Sequence, residues 1–204
     1  MNKIKVLILL ISSLTVLILT ADMFYLPFRA SDRRVLKDRY ITPSGEYGIW
    51  RKPYNNIPGH FHSGIDFKNP GSRPGEIEPV FSCSSGRVVS VLNNGSSSSV
   101  IIRHRHNGGY IYSTYTHITD IVVSPGDSVS HRSVIASFID KPHLDVWGEY
   151  LNHLHFEILK KEPMYIGIRQ NTKTYLSYSI ECRTGKQLNE LFYNPRLFFI
   201  FDMY

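Results

Sequence analysis

The sequence predicts an all-β domain, a mainly antiparallel sandwich or barrel-like sheet core with long loops. Three observations carry that prediction. Short runs rich in Val, Ile, Tyr and Phe recur, and these residue types fit a pleated, half-buried surface. Clusters of Gly, Pro, Asn and Ser separate the runs. No stretch sustains a helical period, apart from a weak pattern near "GKQLNELF" (185–192).

In chain order, residues 1–21 come first. Lys3 and Lys5 precede an apolar run from Val6 to about Ala21, the layout of a signal peptide or membrane anchor expected to form a hydrophobic helix. Leu19 is bulky for a cleavage site after Ala21, which favours the anchor. No cysteine follows the run, so lipoprotein processing is not expected. Residues 22–40 are polar and charged without a period and read as a linker. Residues 41–204 read as the folded domain. Its first part, 41–80, is rich in Gly and Pro and predicts turns. "GRVVSVL" (86–92) predicts a strand. "VIIRHRH" (100–106) and "YIYSTYTHI" (110–118) predict a hairpin around Asn107, Gly108 and Gly109. The serine run 96–99 reads as a solvated loop. "DIVVSPGDSVS" (120–130) carries a Pro-Gly turn, and "SVIASFI" (133–139) and "HLHFEILKK" (153–161) are further strands.

The chain has 204 residues, 42% hydrophobic and 20% charged, which suits one folded domain. The net charge is +6, but basic residues are interleaved with acids along the chain. No Lys/Arg block forms, so nucleic acid is not an expected partner. A modest positive charge suits an acidic wall polymer or an anionic lipid equally well. Cys83 and Cys182 either pair in an oxidising compartment or remain buried thiols; neither lies in a CxxC, so a cysteine zinc site is not expected.

The chemistry concentrates in "HFHSGIDF" (60–67) and "NHLHFEI" (152–158). In a strand, His153 and His155 project from one face about 6.6 Å apart, while Leu154, Phe156 and Ile158 face the opposite way into a core. One of the pair suffices as a metal ligand, and the other can stand beside a bound water. His62 and Asp66 would be about 13 Å apart if fully extended, so Gly64 is expected to supply a bulge or turn that folds them inward. Two histidines and a carboxylate make a three-ligand zinc set, and sets of three leave a position for water, as in catalytic zinc sites. Zinc lowers the pKa of water from 15.7 to roughly 7 and polarises carbonyls, so the expected activity is hydrolysis. His117, in "YSTYTHI", adds an imidazole that would join His153 in proton transfer.

Together, "HSGIDF", "YTHI" followed by "PGDSV", and "HLHFEI" resemble the lysostaphin/LytM-type zinc metallopeptidases, a peptidoglycan endopeptidase family. "EPVFSCSSGRVVSVLNNG" (78–95) and "YNPRLFF" (193–199) resemble further stretches of that family. The resemblance covers about residues 42–160 and 193–199. It implies that His62, Asp66 and His155 bind one zinc ion per chain. It implies that His117 and His153 are the catalytic pair, and that the substrate is the peptide part of bacterial peptidoglycan. A wall substrate implies export to the periplasm or cell envelope, against the bias of Arg29, Arg33, Arg34, Lys37 and Arg39 after the apolar run. Two other functions fit the same resemblance: a catalytically silent module that regulates another wall hydrolase, and a zinc peptidase acting on proteins.

The sequence departs from the family at His131 and Arg132, at the loop "DKPHLDVWGEYLN" (140–152), and at residues 161–190, which read as an insertion. Outside the five chosen residues, His60 reads as a loop residue, His104 and His106 as surface residues, and His131 and His143 as solvated. Glu157 shares a face with His153 and His155. It either holds a ligand histidine or lies at the surface of a strand end.

Overall fold

The computed structural model describes residues 23–54, 56–71, 77–139, 152–169 and 171–201. The candidate helix in 1–21, His143 and almost all of the loop 140–152 lie outside the described residues. Among the described residues no helix is long and apolar enough to cross a membrane.

The β-branched and aromatic runs form a seven-stranded antiparallel sheet. Its order is Ser128–Val129, Gly86–Leu92, Ser99–His106, Gly109–Thr116, His153–Leu159, Phe192–Tyr193. Ile65–Lys68 pairs with the first half of His153–Leu159, and Phe192–Tyr193 with its end. The hairpin is tight, with Asn107 (φ 47°) and Gly108 (φ 78°) both left-handed, as a two-residue type I′ turn requires. Gly109 opens the second strand instead of joining the turn. At Pro125-Gly126, the φ of 101° at Gly126 and the Asp127 N–H donating to Ser124 O (3.1 Å) make a type II turn. The weak helical pattern becomes a helix, Gly185–Leu191, started by a reciprocal cap between Thr184 and Gln187.

Alternation along each strand divides the core. Val100, Ile102, Tyr115, Leu154, Phe156 and Ile158 pack on one face against Val80, Ile118, Ile135 and Phe138 of a smaller three-stranded antiparallel sheet. The opposite face buries a second cluster that includes Ile101, Leu159, Leu188 and Phe192. Cys83 belongs to the first cluster and Cys182 to the second; both are free, buried thiols with the large sheet between them.

Four sequence expectations change here. The stretch expected to be a linker, 22–40, is not free where described: Phe24, Leu26, Phe28 and Leu36 are buried in the main core, and Val35 pairs in parallel with Ile200. The arginines of this stretch are absorbed into the fold. Arg33 donates to Leu26 O (2.7 Å) and His131 O (2.6 Å), Arg29 lies 3.6 Å from Glu78, and Arg34 pairs with Asp32. The serine run is only partly solvated, because Ser98 and Ser99 are buried. Residues 161–190 carry structure of their own, a Met164–Arg169/Thr172–Leu176 hairpin tied to the main sheet through Ser90 and Tyr175.

The fourth change is His104. It shares the strand face of Val100 and Ile102, so it is fully buried rather than exposed, contacting Ser85 O (2.8 Å) and Ser113 Oγ (2.7 Å). Burial pushes its pKa from 6.5 down to about 4. The neutral form is the folded one. The stability it contributes is complete above pH 6.5 and is lost as pH falls through 4, about 3 kcal/mol in all. Urea unfolding is expected to show this loss in the native protein and a flatter acid limb in His104→Gln. Equal slopes would contradict it.

Candidate metal centre

The His153–Leu159 strand turns Leu154, Phe156 and Ile158 into the core, which leaves His153, His155 and Glu157 on the other face. The neighbouring strand places Asp66 directly opposite His155. Between His62 and Asp66 the chain bends at Gly64, which carries no left-handed φ. Its lack of a side chain serves a close approach instead: a Cβ there would collide with the Phe156 carbonyl and lie 2.9 Å from Glu157 Cγ. The bend sets His62 on Asp66, with the His62 backbone held by Ile49 O (2.7 Å) and by the Gly48 N–H (2.8 Å).

Three atoms converge. His62 Nε2 lies 3.0 Å from Asp66 Oδ1 and 2.9 Å from His155 Nδ1, and His155 Nδ1 lies 2.9 Å from Asp66 Oδ1. The far side of each ring fixes its tautomer. His62 Nδ1 lies 2.8 Å from Glu46 O, an acceptor only, so that nitrogen donates. His155 Nε2 lies 3.1 Å from Glu157 Oε1 and donates to the carboxylate. In the neutral rings, three lone pairs therefore face one another with no hydrogen between them. A divalent cation satisfies all three at once, and His/His/Asp is a zinc donor set, so the residues fit the ion.

The surroundings hold this arrangement. Arg51 Nη2 meets Asp66 Oδ2 at 2.8 Å, which leaves Oδ1 to face the histidines. Burial opposes the charge on Asp66, yet His62 and His155 hold its carboxyl well below the usual carboxylate range. Burial also works against charge on His155. Glu157 and Asp66 more than offset it and raise its pKa from 6.5 to about 10. Glu157 is fully buried and receives the Ser63 hydroxyl at 2.5 Å. It is thus a holder of His155 and not a surface residue. Glu157→Gln is expected to weaken zinc binding by about 10–100-fold, read by chelator competition. Unchanged affinity would remove Glu157 from the account.

His117 and His153 stand beside the three atoms. His153 Nε2 is 3.9 Å from Asp66 Oδ1, and its ring centroid is 4.9 Å from that of His117. His117 takes a left-handed φ of 63° at the strand end, where the serine segment anchors it: Nδ1 donates to Ser96 O at 2.7 Å. Burial, and then the neighbouring His153, push the His117 pKa down to about 4. At neutral pH its Nε2 is a free base.

All five predicted site residues line one cleft of about 380 Å³. Sequence reasoning missed Arg51, whose pairing with Asp66 no local spacing announces. It also placed His60 in a loop; the residue is buried in a short strand and lines the same cleft. Met164, Leu176 and Ile180 from the 161–190 segment form part of the cleft wall.

Several solved structures show similarity to parts of this chain. A zinc-containing peptidase from Vibrio cholerae shares 20% identity, over 76% of this chain and 39% of its own length, with a TM-score of 0.42. Lysostaphin from Staphylococcus simulans shares 21%, over 78% of this chain and 49% of its own, with a TM-score of 0.46. A SpoIIQ–SpoIIIAH pore-forming complex shares 19%, over 69% and 85%, with a TM-score of 0.47. The chain thus spans less than half the length of the first two. No curated protein matches it in sequence. The model of Peptidase family M23 matches residues 60–178, more than half of the chain, and the protein belongs to that family.

Proposed function

We propose that the protein is a zinc-dependent endopeptidase that hydrolyses peptide bonds of bacterial peptidoglycan outside the cytoplasm. The observation that carries this reading is the convergence of three lone pairs on one point beside two further imidazoles. A bound zinc ion supplies Lewis acidity, polarising a carbonyl and bringing the pKa of water down to about 7. The chain's own groups do the rest. His62, Asp66 and His155 hold the ion; Arg51 and Glu157 fix the orientation of two of them. The neutral His117 accepts the proton of the attacking water at Nε2 and returns it to the leaving amine, while His153 beside it donates a hydrogen bond to the developing negative charge. The wall of Met164, Leu176 and Ile180 makes residues 161–190 a determinant of which peptide enters.

Without metal, His155 keeps its extra proton until pH rises toward about 10. Zinc must displace that proton. Apparent zinc affinity is therefore expected to rise about tenfold per pH unit through the neutral range. Chelator competition at several pH values reads it, and a flat profile contradicts it.

The activity is tested by incubating zinc-loaded protein with purified sacculi and with a general protein substrate, and weighing the released peptides by mass spectrometry. Muropeptides with newly cut stem or bridge peptides support the reading. Digestion of the protein substrate alone assigns a protein peptidase. Intact sacculi, together with stimulation of a partner amidase by zinc-free protein, assign a regulatory module.

A further inference from the structure

The end of the domain that carries Met23 differs chemically from the end that carries the histidines. The apolar run ends at about Ala21, and by residue 23 the chain is already fixed to the fold. Met23 O accepts the Ser84 hydroxyl at 3.0 Å, Tyr25 N–H donates to Cys83 O at 2.8 Å, and the Phe24 ring meets Phe198 at 4.8 Å and His106 at 6.3 Å. No spacer separates the run from the domain. Around this exit, Met23 is 50% exposed and Leu197, next to Phe198, 76%; Tyr110, across the hairpin end of the sheet, is 48% exposed.

The hairpin end of the same sheet adds charge on its other face, where Arg103 and Arg105 alternate with the His104 and His106 that meet Phe24. Arg87 lies directly across from Arg103, an unfavourable like-charge pair, and Arg103 and Arg105 both stack over Tyr110, at 4.5 and 5.8 Å. Among the described residues none of these three arginines has a carboxylate partner. Exposed apolar side chains, an aromatic ring and unpaired cations, next to the end of an apolar run, have the composition of a membrane interface.

We propose that this end of the domain rests on an anionic phospholipid surface, held there by the uncleaved segment 6–21. Arg87, Arg103 and Arg105 face the headgroups, and Leu197 and Met23 enter them. The consequence is a fixed reach. Tyr110 and Thr116 are six residues apart along one strand, about 20 Å at 3.3 Å per residue, and His117 follows directly, so the histidine cleft faces away from the bilayer at roughly that height. A wall peptide would be met only within that distance.

The test uses the full chain in vesicles of phosphatidylglycerol and phosphatidylcholine, and reads no activity. A nitroxide is attached to Leu197→Cys, or to Ile168→Cys as the distal control. Ile168 belongs to the hairpin whose tip lies beside Leu92 and Asn93, at the cleft end of the sheet. Cys83 and Cys182 are buried and should not take the label. The expected result is relaxation by a lipid-phase agent at 197 and by a water-phase agent at 168. In the Arg103→Gln/Arg105→Gln protein the docked-to-undocked ratio should fall about 25-fold, roughly fivefold per charge, while the chain stays vesicle-bound. Equal water exposure at the two positions overturns the proposal. So does equal docking on pure phosphatidylcholine, removal of residues 1–21 in cells, or a response at 197 to soluble polyphosphate but not to vesicles.

Discussion

Replacing His155 with alanine is expected to remove the metal and the hydrolytic activity together. One of three converging donors is lost, and the remaining His62 and Asp66 cannot hold zinc against competing water. A second effect separates this account from simple ligand loss. Glu157 is fully buried and its charge is compensated by His155. Stranding it is expected to cost about 3–5 kcal/mol of stability. The double change His155→Ala/Glu157→Gln should recover much of that stability while recovering neither metal nor activity. Adding zinc at about a thousandfold excess over Kd should stabilise the native protein by about 4 kcal/mol and either variant not at all. Denaturant unfolding with and without zinc reads all three. An equal zinc response in His155→Ala would contradict the ligand set.

Gly64→Ala is the second large effect, and it acts without touching a ligand. The new methyl would meet the Phe156 carbonyl, which is backbone in the middle of a largely buried strand and cannot swing aside. The two strands must separate, and His62 moves away from Asp66 and His155. The expected loss is about 3 kcal/mol or more, at the upper end of overpacking effects, with zinc affinity falling in parallel. Gly108→Ala is the control. A methyl there meets nothing within 4 Å but must tolerate a φ of 78°, so it should destabilise the hairpin while leaving zinc affinity unchanged.

These two residues also mark how far the sequence could be read. The hairpin was legible because Asn-Gly between alternating runs is local turn chemistry. The five site residues were legible because they fall on short motifs whose spacing encodes a strand face. Gly64 was read as a source of conformational freedom, whereas its function is room for a carbonyl 92 residues away in sequence; such a contact leaves no trace in local spacing. Arg51 was missed for the same reason, since its partner Asp66 lies across a fold and not along a period. His104 was misplaced because two polar side chains beside a turn suggest an exposed edge, yet the sheet runs buried to that point and supplies Ser85 O and Ser113 to satisfy the ring. Residues 22–40 looked like a linker because they are polar and charged without a period. Phe24, Leu26, Phe28 and Leu36 are spaced too irregularly to signal a strand or a helix, but they fill the main core.

The central claim is that His62 Nε2, Asp66 Oδ1 and His155 Nδ1 coordinate one ion that retains an open position. A crystal structure of the zinc-loaded protein, with anomalous data collected across the zinc edge, measures it directly. The account predicts one peak between those atoms, two nitrogens and one oxygen at about 2.0–2.2 Å, and a non-protein ligand completing the tetrahedron. A peak elsewhere, or a fourth protein side chain closing the site, would contradict it.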